Sequence, residues 1–222
     1  MKTYGQFCPI AQALEILAER WTLLVVRELL MGSTRFSQLQ HGVPLMSRTL
    51  LSQRLRTLQD VGLIERREGR AGPEYSLTEA GEQLRPILEG IGFWGKRFAN
   101  RGLPDDHLDP KLLMWDMQRR LRAENLPKVR TVVLFRFSDA REGERRFWLC
   151  VSATVIDLCL KNPGFKVDLS VDTDVRTLTE VWLGRRTLRQ CIRERSVVLE
   201  GNAALKRAFP GWLALSVFAD AS

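Results

Sequence analysis

No run of 18 apolar residues occurs in the 222-residue chain, so the sequence holds no segment able to cross a bilayer as a helix, and no membrane partner is expected. The amino terminus, Met1-Lys2-Thr3-Tyr4-Gly5-Gln6, lacks the hydrophobic stretch of a secretory signal, and a cytoplasmic location is expected. Histidine is scarce, at His41 and His107, and the four cysteines (Cys8, Cys150, Cys159 and Cys191) show no C-x-x-C spacing. A metal-ligand cluster is therefore not legible, and neither metal nor cofactor is expected. Neither a Gly-rich phosphate loop nor a G-x-S-x-G elbow is present. Enzymatic activity is accordingly not expected.

What is present is positive charge, placed unevenly. The chain is +8, and residues 35–70 hold seven arginines against three acids, whereas residues 1–34 are neutral and residues 71–100 are −1. The field of the first hundred residues is thus gathered on one stretch, as a polyanion binder requires. Within it Ser47 is a good helix N-cap, and Leu51, Leu55 and Leu58 recur at i, i+4 and i+7, which predicts a helix to about Val61 with one buried stripe. Thr49, Ser52, Gln53 and Arg56 fall on the opposite face. Short polar groups and a long cation there suit base edges in a major groove. Gly62 ends the helix, and Leu63 to Arg67 and Glu74 to Leu77 read as strands joined by a six-residue loop from Glu68 to Pro73. This is a wing tipped with Arg66, Arg67 and Arg70. A merely solvated basic face is the alternative for any charge run. The ordered succession of helix, turn, helix and hairpin weighs against it.

Cys8-Pro9-Ile10, Trp21-Thr22-Leu23-Leu24, Arg27-Glu28-Leu29-Leu30 and Arg35-Phe36-Ser37 are followed by Ser47-Arg48-Thr49-Leu50, Arg54-Leu55, Gly62-Leu63-Ile64 and Tyr75-Ser76-Leu77-Thr78. Through these motifs the first hundred residues resemble the HxlR-type winged helix-turn-helix regulators of bacteria. The resemblance implies a homodimer on a near-palindromic double-stranded DNA operator, with the second helix of the motif in the major groove and the wing near the adjacent minor groove. The candidate DNA contacts are Arg48, Thr49, Ser52, Gln53, Arg56, Arg66, Arg67 and Arg70. Some members of that family sense oxidants through a cysteine near the amino terminus, which makes Cys8 a redox candidate. The alternative is that Cys-Pro marks the start of a helix and packs at the dimer interface.

Scaffold surrounds this head. Helices are predicted from Pro9 through Leu17 and from Trp21 to Met31, the second closed by Gly32. From Thr78 onward, Leu84, Leu88 and Ile91 form one apolar row and Ile87, Ile91, Trp94 and Phe98 another, on a helix that Pro86 should kink. So broad a face needs a partner, either a second subunit or the first helix. Domain boundaries are expected at 1–100 for DNA binding and dimerisation, 101–110 for a linker from Arg101 to Pro110 and 111–222 for a second domain.

The texture then changes. After a helix at Leu112 to Leu121, strands are predicted at 129–137, Phe147 to Val151, Val155 to Leu160 and 166–171, forming an antiparallel meander. Helices follow at Val175 to Leu183, Leu188 to Glu194 and Asn202 to Phe209, with a short strand at Ser196 to Leu199. The fold class is α+β, an antiparallel sheet with covering helices behind the winged helix. Val167-Asp168-Leu169, the helix from Asp174 to Gly184, and Val198-Leu199-Glu200-Gly201-Asn202 resemble the sterol carrier protein-like domain. That resemblance implies an apolar tunnel, for which Trp148, Leu178, Trp182, Leu188, Ile192, Phe209 and Trp212 are the candidate lining, and a hydrophobic small-molecule effector. Simple core is the alternative for all seven. The expected function is a homodimeric transcriptional regulator; a hydrophobic-ligand or lipid carrier, or an interaction protein, is the alternative.

Overall fold

The computed structural model describes residues 3–70, 72–99, 102–152 and 155–219. The chain divides into two compact units, Met1–Trp94 and Gly95–Ser222.

The first unit begins with α1 (Pro9–Leu17), which starts at a proline whose missing N–H costs nothing at that position, and α2 (Thr22–Leu30). α3 (Phe36–Gly42) is capped by Gln38 Oε1, which accepts from the amides of Thr34 and Arg35 at 2.9 and 3.0 Å. A five-residue turn leads to α4 (Arg48–Asp60), where Ser47 Oγ accepts from Leu50 N at 3.2 Å. Leu51, Leu55 and Leu58 are buried and join Val25, Val26, Leu39 and Ile64 in one core. Each such side chain contributes about 1.5–3 kcal/mol. α2 and α3 are locked through a buried carboxylate: Arg27 Nη2 donates to Glu28 Oε1 at 2.8 Å and to the Gly42 carbonyl at 2.9 Å. Only glycine fits at 42, because a Cβ there would lie 1.9 Å from the Glu28 carboxyl.

The wing is tighter than its composition suggests. β1 (Ile64–Gly69) and β2 (Gly72–Leu77) pair in antiparallel register from Ile64 opposite Leu77 to Gly69 opposite Gly72. The six-residue loop shrinks to Arg70 and Ala71, the latter outside the described residues. Gly72, at φ 105°, supplies the left-handed backbone such a short reversal needs. Thr34 and Arg35 add a bridge to β2, with Tyr75 N donating to the Thr34 carbonyl at 2.7 Å.

α5 (Glu79–Glu82) is capped by Thr78, and α6 (Arg85–Phe98) follows, its last turn falling in the second unit. The kink expected at Pro86 is instead a break between two helices. Pro86 lies in the first turn of α6, where its lack of an N–H removes no helical bond.

The next helix of the second unit is α7 (Pro110–Gln118), capped by Asp109. The stretch at 102–109 contains a short 3-10 turn at Asp105–His107; Arg101 lies outside the described residues. β3 (Thr131–Phe137), β4 (Arg146–Val151), β5 (Ile156–Cys159) and β6 (Leu169–Thr173) follow, then α8 (Val175–Trp182), α9 (Leu188–Arg193), β7 (Val198–Gly201) and α10 (Ala203–Ala208). The sheet order is β5-β4-β3-β6-β7. The expected antiparallel sheet is corrected here to a mixed one, since β6 lies parallel to β3 while the remaining pairs are antiparallel. Asp168 accounts for the correction. Its amide donates to the Val132 carbonyl and its carboxylate accepts from Val132 N, both at 2.9 Å, so β6 enters beside β3 instead of extending the meander past β5.

One face of this sheet, carrying Val133, Phe135, Phe147, Leu149 and Val171, forms a single core with α7, α8, α9 and the Phe209–Trp212 segment. The other face carries Leu134, Arg136, Trp148, Cys150, Ser170 and Asp172, with Arg136 Nη2 donating to Asp172 Oδ2 at 2.6 Å.

Candidate nucleic-acid interface

α4 presents two chemically distinct faces because its leucines recur at helical spacing. Beneath are Leu51, Leu55 and Leu58; outward are Arg48, Thr49, Ser52, Gln53 and Arg56, all exposed. No acid occurs in α4 before Asp60. The structure thus brings the five candidate contacts of this helix onto one continuous surface. The Arg48 guanidinium lies 4.9 Å from the Phe36 ring centroid, which ties the first turn of α4 to that of α3. Arg54, on the flank, is withdrawn: its Nη2 donates to Glu19 Oε2 at 2.7 Å and its Nε to the Arg20 carbonyl at 3.2 Å. It fixes the base of the helix and is not part of the outward face.

Arg66, Arg67 and Arg70 are exposed, but the wing is less cationic than three arginines suggest. Arg66 pairs with Glu68 at 2.6 Å and Arg67 with Glu65 at 2.7 Å. Arg70, at the tip, has no acidic partner among the described residues. The pairings were legible as i, i+2 spacing, which places both members on one side of a strand. Exposed pairs of this kind are worth roughly 0–1 kcal/mol and can exchange for phosphate.

The remaining candidates divide. Cys8 is the half-buried N-cap residue of α1, and its side chain makes no capping hydrogen bond. Cys150 and Cys159 are half-buried on adjacent strands; burial, then the neighbouring Cys159, push the Cys150 thiol above its ordinary value. Leu178, Trp182, Leu188, Phe209 and Trp212 lie together in the core, with Ile192 packed against it and the Phe209 and Trp212 rings edge-to-face at 5.6 Å. Trp148 sits on the opposite sheet face. Trp212 Nε1 is buried with no hydrogen-bond partner among the described residues.

The model of the HxlR-like helix-turn-helix family matches residues 16–102. A relative in Mycobacterium bovis, the HTH-type transcriptional regulator Mb3122, is 37% identical over 132 residues, covering 53% of this chain and 82% of that protein. The chain belongs to the HxlR-like helix-turn-helix family. A second relative, the HTH-type transcriptional regulator YvaP of Bacillus subtilis, is 38% identical over 105 residues, covering 46% of this chain and 97% of its own. Among solved structures, the reduced form of the transcriptional regulator YodB from B. subtilis is 28% identical with a TM-score of 0.39, covering 44% of this chain and 99% of that one. The HxlR-like relatives are transcriptional regulators and not enzymes. α3, the five-residue turn and α4 form a helix-turn-helix within the matched residues. The family model ends at residue 102, so the second unit lies almost wholly beyond it.

Proposed function

We propose that this protein is a cytoplasmic, homodimeric transcriptional regulator that binds a near-palindromic operator, with α4 in the major groove and the wing beside the adjacent minor groove. The observation that carries this reading is the outward face of α4, with two cations, three short polar side chains and no acid, set on a core that leaves it no freedom to turn away. Arg48 and Arg56 are suited to guanine or phosphate, Gln53 to adenine, and Thr49 and Ser52 to either. Selection of bound fragments from genomic DNA tests it. One enriched sequence with two related half-sites is expected, and the absence of any enrichment would overturn the reading.

Dimerisation is assigned to α6. None of its residues is buried, and Ile87, Ile91, Trp94 and Phe98 are exposed, Trp94 to 61%. Phe7, just before α1, and Ile10, within it, are exposed to 95% and 70% and add to the apolar surface of the first unit. Replacing Ile91 and Trp94 with Asp should yield monomers by sedimentation velocity; an unchanged dimer would place the interface elsewhere. Cys8, beside Phe7, is the candidate for oxidant sensing or for packing at that interface.

The second unit is assigned the role of a ligand-responsive domain similar to sterol carrier proteins. A sheet covered on one face by helices supports this, as does the aromatic core around Phe209 and Trp212, where a ligand acceptor would satisfy Trp212 Nε1. A ligand would control transcription only through unequal affinity for the DNA-competent and incompetent states.

A further inference from the structure

The loop that closes α9 carries an arginine where the loops after α2, α4 and α8 carry glycine; Trp21 and Leu215 are the other described non-glycine residues with positive φ. After α2, α4 and α8, the first residue past the C-cap is Gly32, Gly62 and Gly184, each with positive φ. After α9 it is Arg195, at φ 60°. L side chains are disfavoured in that region, and non-glycine residues held there cluster at functional sites. Its backbone is kept in place by Arg195 N and Ser196 N, which donate to the Ile192 and Cys191 carbonyls.

Arg195 opens onto a cleft of about 670 Å³ between α9, β7 and α10. The floor is apolar, including Ile192, Val197 and Leu199, and the rim is cationic, made by Arg195, Lys206 and Arg207; no acid lines it. The nearest acids in sequence are engaged elsewhere. Glu194 accepts from Gln190 at 2.8 Å and from Arg186 at 2.5 Å, which hold its carboxyl below the ordinary value, and Glu200 pairs with Arg136 at 3.2 Å. A neighbouring cavity that Arg195 also lines contains Asp172 and Asp174, and there it is Arg136 that pairs with Asp172. The volume of the apolar cleft falls in the range of small-molecule sites.

We propose that the cleft between α9, β7 and α10 binds a monomeric apolar carboxylic acid, its hydrocarbon body on Ile192, Val197 and Leu199 and its carboxylate held by Arg195 with Lys206 and Arg207. Only for its regulatory consequence does this site rest on the ligand-response reading above; binding is measured without DNA. An aliphatic floor excludes a purely polar anion, and an acid-free rim favours a carboxylate over the alcohol of the same chain. The strained conformation of Arg195 is then the cost of placing a guanidinium at the mouth of the cleft.

Isothermal titration of the full chain with decanoate, 1-decanol and acetate, all below their aggregation concentrations, tests the proposal. Decanoate should bind about tenfold or more tighter than decanol, a difference of about 1.4 kcal/mol, and acetate should give no heat. Arg195→Gly should weaken decanoate about tenfold, leave decanol unchanged and raise the melting midpoint by about 2–4 °C, because glycine relaxes the backbone. Arg195→Lys should retain the preference for the acid, and Ile192→Glu should lose both ligands. Equal binding of acid and alcohol, an Arg195→Gly variant that binds decanoate like the parent, or binding confined to phosphatidylglycerol vesicles would overturn the site. Binding of decanoate with unchanged operator affinity would uphold the site and remove its regulatory role.

Discussion

The first unit, residues 1–94, holds 11 bases and 10 acids, while residues 95–222 hold 23 bases and 16 acids. The unit assigned to DNA is nearly neutral, and +7 of the +8 lies in the other. The difference separates two uses of positive charge. In the first unit a few arginines are sorted by helical periodicity onto one acid-free face, while Glu65, Glu68, Glu19 and Glu28 hold others in pairs. Such a surface recognises by position. In the second unit basic residues are spread over many elements and partly opposed by Asp105, Asp172, Glu180 and Glu194, with an unopposed group around the α9–α10 cleft. Total charge favours the second unit, whereas local charge relative to burial favours the face of α4 assigned to DNA.

The largest effects are expected from substitutions that disrupt one core at a time. Gly42→Ala drives a Cβ into the buried Glu28 carboxyl and should cost the first unit about 3 kcal/mol or more, through overpacking and loss of the Arg27–Glu28–Gly42 link. Phe209→Ala should cost the second unit about 3–5 kcal/mol. Amide exchange resolves the two: each variant should lose protection in its own core and keep it in the other. Uniform loss in both would show that the units do not have separate stabilities.

Smaller effects are expected on the wing. Arg70→Ala should weaken binding to all DNA sequences and reduce the slope of log affinity against log salt by about 0.9, the value of one phosphate contact. Arg66→Ala and Arg67→Ala should each change that slope less, because Glu68 and Glu65 already offset them. Equal effects of the three would mean that the wing pairs open on DNA. The smallest effect is expected from Ser47→Ala, which removes the cap of α4 and should lower stability by about 1 kcal/mol in urea denaturation. No change would assign the start of α4 to the Arg48–Phe36 contact instead.

Elements whose signal is local were legible in sequence. The leucine stripe of α4, its cap Ser47, and the alternation of β3 and β6 all lie within a few residues of what they specify. Strand order was not, because alternation marks which side of a strand is buried and is silent on its neighbour. The parallel β3–β6 pair depends on Asp168 meeting Val132, 36 residues away. The wing was misjudged for a smaller reason: Gly69 and Gly72 read as loop residues, yet they are the pair that closes the hairpin. Arg195 carried no signal at all, since only the backbone reveals that it occupies a glycine position. Of the candidate DNA contacts, the outward set on α4 follows from periodicity, whereas net charge conceals the pairing of Arg66 with Glu68 and of Arg67 with Glu65.

The central claim, that the outward face of α4 carries sequence recognition, is tested most directly by measuring the affinity of the Gln53→Ala, Arg56→Ala double variant for the selected operator and for random duplex in the same salt. A base-reading face predicts a loss on the operator of roughly 1–3 kcal/mol per lost bidentate contact, with affinity for random duplex nearly intact. Equal losses on the two DNAs, or none on either, would contradict it.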